Sequence, residues 1–464
     1  MIPFFSPLTG KADQVADFVI RHLNSLFRTE KMERVPALEI SEDLVVVWDY
    51  QEEEKKYLKL PCLLFIPFSR DAEQLWFRKQ PVNLQSVQNY RIREQELLCL
   101  FPVNRQSAQA AEISGESVLF QADLISQLFV LLTGWDEQFS EKDKLKRVIF
   151  KNSLIDKLGL INRAFADETC AAIMNGYQAL GIPESFRFYD GFSWQITFTH
   201  DLDHLKKWTP GYFSRKLLQS RSSFKELQTL ATEFKTSFSE KDPFETALEE
   251  IRTYNNDQKV NPIYFLRSGK SDKRDSRISF KHKLIGNLVE DSKAGLCRLG
   301  IHPTIKSAFD PEQFYKDWQE LSSAIPSVER VNRQHFLMFD PVLTPTVHRD
   351  LRIEEDYTIG FHDQEGFRRS SVHPFQGFDF NSWSLTETNY IPLIAMDATF
   401  TDYRKCSALE SIQSTERLLK EVKNWQGHCS ILFHNSFTRD KNPDWWSWYE
   451  SAVQFSIRNH ALLK

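Results

Sequence analysis

The chain has 464 residues, 41% of them apolar and 26% charged, with 58 Lys and Arg against 63 Asp and Glu. That is the composition of a folded globular protein too long for one ordinary core, and a net charge of −5 argues against the concentrated basic surface that nucleic-acid binding needs. The six cysteines are far apart and form no CxxC pair, which argues against a disulfide framework or structural zinc cluster and fits a reducing compartment.

In chain order, residues 11–29 place apolar side chains at helical spacing. LVVVWDY (44–50) and LPCLLFIPF (60–68) read as strands, with the charged QEEEKK between them as a solvated hairpin tip. ESVLFQADLISQLFVLLTG (116–134) reads as a buried helix ended by Gly134, residues 170–180 as another helix, and GIPESFRFYDGF (181–192) as a linker. These elements predict an N-terminal α/β or α+β domain over 1–188, in which no catalytic signature stands out. The start, MIPFFSPLTGKADQVADF, lacks a basic segment followed by an apolar run, and no stretch approaches the ~18 apolar residues of a membrane span. A cytoplasmic protein is expected.

From residue 194 short apolar strands alternate with helical stretches: QITFT (195–199), PIYFLR (262–267), LCRLGIH (296–302), ERVNR (329–333), YTIGF (357–361), YIPLIAMD (390–397) and CSILFH (429–434). Strands alternating with helices imply a parallel sheet or barrel, so residues 189–464 are predicted to form a distorted seven-stranded (β/α) barrel. A charged helical insertion at about 205–258 interrupts the rhythm. Chemistry-bearing side chains sit at or just past the strands' C-terminal ends: Asp201 and Asp203, His302, Arg333, Asp397, His434. In such folds that end carries the active site. The tryptophans of NPDWWSWYE (Trp445, Trp446, Trp448) are expected to pack a helix onto the barrel rather than to serve as a sugar platform.

Asp201 and Asp203 lie on one side of an extended chain, so one acid can hold a metal while the other acts as general base. His302 in GIHPT and His434 in ILFHNS have the placement of ligands or of hydrogen-bonded structural residues. In their order along the chain, THDLDH, GIHPT, the Arg333 segment and ILFHNS resemble the motifs of the polysaccharide deacetylases (carbohydrate esterase family 4, the NodB homology domain). The chain is most similar to a bacterial subgroup in which an N-terminal α/β domain precedes that fold.

The resemblance implies a carbohydrate N-deacetylase holding a divalent metal, zinc first, and acting on an N-acetylated glycan or its precursor in surface polysaccharide synthesis. It implies Asp201 as base, Asp203 and His302 as metal ligands, and His434 as general acid. Arg333 paired with Asp356 would orient the base, and Arg368 in GFRRSS would share that role or bind substrate. The family's second His ligand is replaced here by Lys306, and the Pro-aromatic-Gly turn after its Arg is missing. His204 is the expected third ligand, with His200 and His373 as substitutes. A metal-independent amide hydrolase and a degenerate glycan- or protein-binding module are the alternatives.

Overall fold

The structure, a computed structural model, describes residues 1–28, 31–38, 44–92, 95–186, 194–219 and 224–464. Its first strands are β1 (Ile2–Phe5), β2 (Met32–Arg34), β3 (Val45–Tyr50), β4 (Leu63–Phe68), β5 (Gln88–Ile92), β6 (Gln95–Cys99), β7 (Ala111–Ser114) and β8 (Ser117–Phe120). One sheet runs β2-β1-β3-β4-β8-β7, parallel except for the β7–β8 pair, while β5 and β6 form a separate antiparallel ribbon. The apolar run of β3 is continuous because both of its faces are covered. Val46 and Trp48 enter one apolar core, Val45 and Val47 another.

Since β3 and β4 are parallel, QEEEKK is not a hairpin tip. It forms the short 3-10 helix Gln51–Lys56 within the crossover between them. The predicted helix at 11–29 is Lys11–Leu26. The segment 116–134 divides into β8 and the helix Leu124–Thr133, capped by Gly134 in the left-handed conformation. Residues 187–193 of the predicted linker lie outside the described residues.

The second sheet contains β9 (Gln195–Leu202), β10 (Ile263–Arg267), β11 (Arg298–His302), β12 (Val331–Asn332), β13 (Glu355–Asp356), β14 (Phe375–Asp379), β15 (Ser384–Tyr390), β16 (Leu393–Met396), β17 (His428–Leu432) and β18 (Leu462–Leu463). The order is β14-β15-β13-β12-β11-β10-β9-β17-β16, with β18 also pairing to β9, and only β14 runs antiparallel to its neighbour. The sheet curls into a half-barrel, where a distorted seven-stranded barrel was expected. The β16 edge is tied to the segment that follows β13, where Leu393 N–H donates to Ile359 O at 2.9 Å.

The predicted strand YTIGF (357–361) is therefore a connecting segment, and the strand of that region is the two-residue β13 just before it. The hairpin β14–β15 went unpredicted because the buried face of β15 carries Thr386 and Thr388 opposite exposed Glu387 and Asn389, which dilutes the apolar alternation. Ile263, Phe265, Val331, Tyr357 and Ile391 fill the concave side. The alternate residues Tyr264 and Leu266 meet the outer helices. Trp446 and Trp448 of the helix Pro443–Arg458 are buried in that outer layer, as expected.

One apolar core joins the two sheets: Phe129 of the helix Leu124–Thr133 packs edge to face on Phe378 of β14, with ring centroids 4.9 Å apart. Beside this contact the buried Glu137 takes a two-pronged bond from Arg368 (2.9 and 2.8 Å) and pairs with Arg369 at 2.6 Å. A side chain at residue 134 would collide with the Arg369 guanidinium, so Gly134 both ends its helix and makes room for this cluster. Glu137→Gln leaves two buried guanidiniums without their counter-charge, an expected loss of about 3–5 kcal/mol. Guanidinium unfolding measures it, and a loss below about 1 kcal/mol would show that the cluster does not hold the sheets together.

Candidate active site

The side chains of β9 alternate between the two layers, which separates the residues of THDLDH. His200 faces outward: its Nδ1–H donates to Phe433 O at 2.7 Å and its ring stacks on Tyr264. Burial pushes its pKa down to about 4, so it is a neutral core histidine. Asp201 faces the concave side, and Asp203 follows at the strand's end. They open onto a cavity of about 360 Å³ at the C-terminal ends of the strands.

Asp203 is met there by two imidazoles. His302 Nε2, at the end of β11, and His335 Nε2, just past β12, each lie 3.3 Å from Asp203 Oδ1. The other nitrogen of each ring is already committed. His302 Nδ1–H donates to Arg333 O at 2.6 Å, and His335 Nδ1–H donates to Asp275 Oδ1 at 3.1 Å. Both Nε2 lone pairs are thereby turned toward the carboxylate. Burial lowers the pKa of His302, with Asp201 and Asp203 opposing, which favours the uncharged form a ligand needs.

Asp203 Oδ1 is buried without a hydrogen-bond partner, and the three ligand atoms lie within 4.8 Å of one another. Bonds of about 2.0–2.1 Å in a tetrahedral zinc site put neighbouring ligand atoms about 3.3–3.4 Å apart. The donor set therefore fits a divalent cation.

Around this centre stand the proton-handling groups. Asp201 Oδ2 lies 3.8 Å from His302 Nε2, and Asp201 Oδ1 is buried 3.9 Å from Arg333 Nη1. Arg333 is wholly buried; it donates to Thr199 Oγ1 at 3.0 Å, and its guanidinium lies 5.3 Å over the Phe265 ring. On the other wall Asp397 grips His434 twice, accepting from its Nδ1–H at 2.6 Å and its backbone N–H at 2.7 Å. Burial works against a charge on His434, but Asp397 outweighs it, with Asp201 and Asp203 adding, and the pKa is pushed up to about 10. His434 is thus protonated at neutral pH, and among the described residues its Nε2–H has no acceptor. Asp275 is fixed by Ser271, the backbone of Asp272 and Ile305, and the buried Arg267.

The structure corrects several expected roles. His204 is exposed on the cavity wall and outside the ligand cluster, and His373 is buried elsewhere against Asp167 at 2.6 Å. The third residue clustered with Asp203 and His302 is His335, and Lys306 is exposed on the 3-10 turn Ile305–Ala308. Asp356 is buried and held by Asn332 (2.6 Å) and Thr358 (2.9 and 2.8 Å); no ion pair with Arg333 forms, only a longer-range attraction. Arg368 is locked on Glu137 and does not line the cavity.

Sequence reasoning passed over His335, Asp275 and Arg267. His335 stands two residues after Arg333, and that spacing was the available signal. A tight turn exists there despite the missing Pro and Gly. Phe336 and Leu337 carry it with φ of 58° and 53°, a costly conformation for such side chains.

No family model and no curated protein matches the chain. A solved structure from Mycobacterium smegmatis, provisionally named a polysaccharide deacetylase, is similar with a TM-score of 0.39 and 11% identity, over 59% of this chain and 85% of that one.

Proposed function

We propose that the chain is a metal-dependent hydrolase that removes N-acetyl groups from sugars of a surface polysaccharide or its precursor. The observation that carries this reading is the cluster of half-buried Asp203 with buried His302 and His335, with Asp201 on one side and the Asp397-held His434 on the other. Asp203, His302 and His335 would hold the metal, and when bound such a cation polarises an acetamide carbonyl as a Lewis acid.

Asp201 takes the proton from the attacking water, with the Arg333 guanidinium 3.9 Å from its Oδ1. Water oxygen bonds to the carbonyl carbon. As the C–N bond breaks, His434 Nε2–H protonates the departing sugar nitrogen, leaving a free amine and acetate. Phe336, Tyr403 and Phe437 line the cavity, and their rings suit the apolar faces of a sugar.

The test is acetate release from an N-acetylated saccharide by the purified protein before and after exhaustive chelation. Loss on chelation and return on adding zinc are expected. Undiminished release after chelation contradicts the reading.

A further inference from the structure

The insertion between β9 and β10 carries a surface that neither the apolar cores nor the catalytic cavity uses. Its first two helices, Pro210–Gln219 and Phe224–Thr236, contain no buried residue, whereas helices of a folded domain normally bury an apolar stripe. They are not loose at their base. Glu233 accepts from Trp208 Nε1 at 3.1 Å and Tyr212 OH at 2.8 Å, and pairs with Lys207 at 2.6 Å. Beyond that anchor Phe213, Phe234 and Phe238 stack edge to face in 5.0 Å steps. Leu217 (51%), Leu218 (57%), Phe224 (77%), Phe234 (47%) and Phe238 (78%) are left in solvent. That is a concentrated apolar surface for residues of this size.

Its charge runs opposite to the chain's. The whole chain carries −5, yet the described residues from Lys206 to Lys241 include seven Lys or Arg and three Glu. Lys206, Lys207 and Lys241 are taken by Glu245, Glu233 and Glu249. Arg215, Lys216, Lys225 and Lys235 make no ion pair among the described residues. The surface is also continuous with the site: a groove lined by Lys225, Thr232, Phe244 and Ser436 adjoins it, and Ser436 lines the catalytic cavity as well.

We propose that this helix pair docks the protein on an anionic phospholipid bilayer. Exposed Phe and Leu side chains set among unpaired cations on short amphipathic helices are what lies in a headgroup layer, the apolar groups entering the acyl boundary and the cations meeting lipid phosphates. Contact of this kind is peripheral, and among the described residues no helix is long and apolar enough to cross a membrane. The docked face adjoins the cavity mouth, which suits a substrate presented at that surface.

The test is co-sedimentation of the full chain with vesicles of phosphatidylcholine alone or mixed with phosphatidylglycerol, beside Phe234→Ser/Phe238→Ser and Arg215→Gln/Lys225→Gln variants. All four positions are exposed, so the fold is retained; circular dichroism and the thermal midpoint check it. The wild type is expected to pellet with the anionic vesicles and not with the neutral ones. Each double variant should lose about tenfold or more in partitioning. Equal behaviour on the two vesicle types, or variants that bind like wild type, overturns the proposal. So does a chain that ignores vesicles but self-associates in sedimentation velocity through the same residues, which would make a second copy the occupant. The readout is independent of catalysis.

Discussion

Replacing His335 with alanine is expected to strip the purified protein of its metal and to cut acetate release by about 10³-fold or more, while His204→Ala leaves both near wild type. The two histidines flank the same cavity, but only His335 Nε2 faces Asp203 Oδ1, 3.3 Å away, with its other nitrogen tied to Asp275. Asp275→Asn should give an intermediate loss, about 10–100-fold in metal affinity, because it removes the acceptor that fixes the His335 tautomer without removing a ligand. Metal content after gel filtration and titration with a competing chelator measure all three. Equal metal loss in the His204 and His335 variants would contradict the assignment.

The second large effect concerns the general acid. His434→Ala is expected to lower kcat by about 10²–10⁴-fold with metal content unchanged. Asp397→Asn keeps the imidazole but removes the strongest influence holding its proton. The pKa, now about 10, should then fall toward or below the ordinary imidazole value near 6.5. Since an acid acts only in its protonated form, the alkaline limb of kcat/KM must move to lower pH. The variant should therefore be most impaired above neutrality and recover partly as pH falls toward 6. A uniform loss at every pH would mean that Asp397 only shapes the pocket.

Those sites differ in how visible they were in the sequence. Asp201, Asp203, His302 and His434 announced themselves because each ends a recognisably apolar strand, where an α/β sheet builds its site. His335 lies beyond the end of the strand predicted at 329–333, of which β12 keeps only two residues, and the turn that aims the imidazole uses Phe336 and Leu337 in a conformation their side chains disfavour. Asp275 lies in an irregular segment that no periodicity describes, and its role appears only when the chain is folded against Arg267 and His335.

Arg368 illustrates the opposite error. An Arg in a Gly- and Ser-rich loop resembles a substrate contact, and only the burial of Glu137 from a distant helix end shows it to be part of the seam between the sheets. Likewise QEEEKK was read as a hairpin tip from its charge alone. Whether β3 and β4 pair parallel or antiparallel is a tertiary choice that local composition does not encode.

His335 offers the third candidate donor beside Asp203 and His302 at the place the Lys306 substitution left open. The central claim is that Asp203, His302 and His335 together bind one divalent cation. Anomalous diffraction at the zinc edge, from crystals of protein purified without chelator, tests it most directly. The account predicts a single strong peak within bonding distance of Asp203 Oδ1, His302 Nε2 and His335 Nε2. An active enzyme with no peak there, or with a peak on His204 in place of His335, would contradict it.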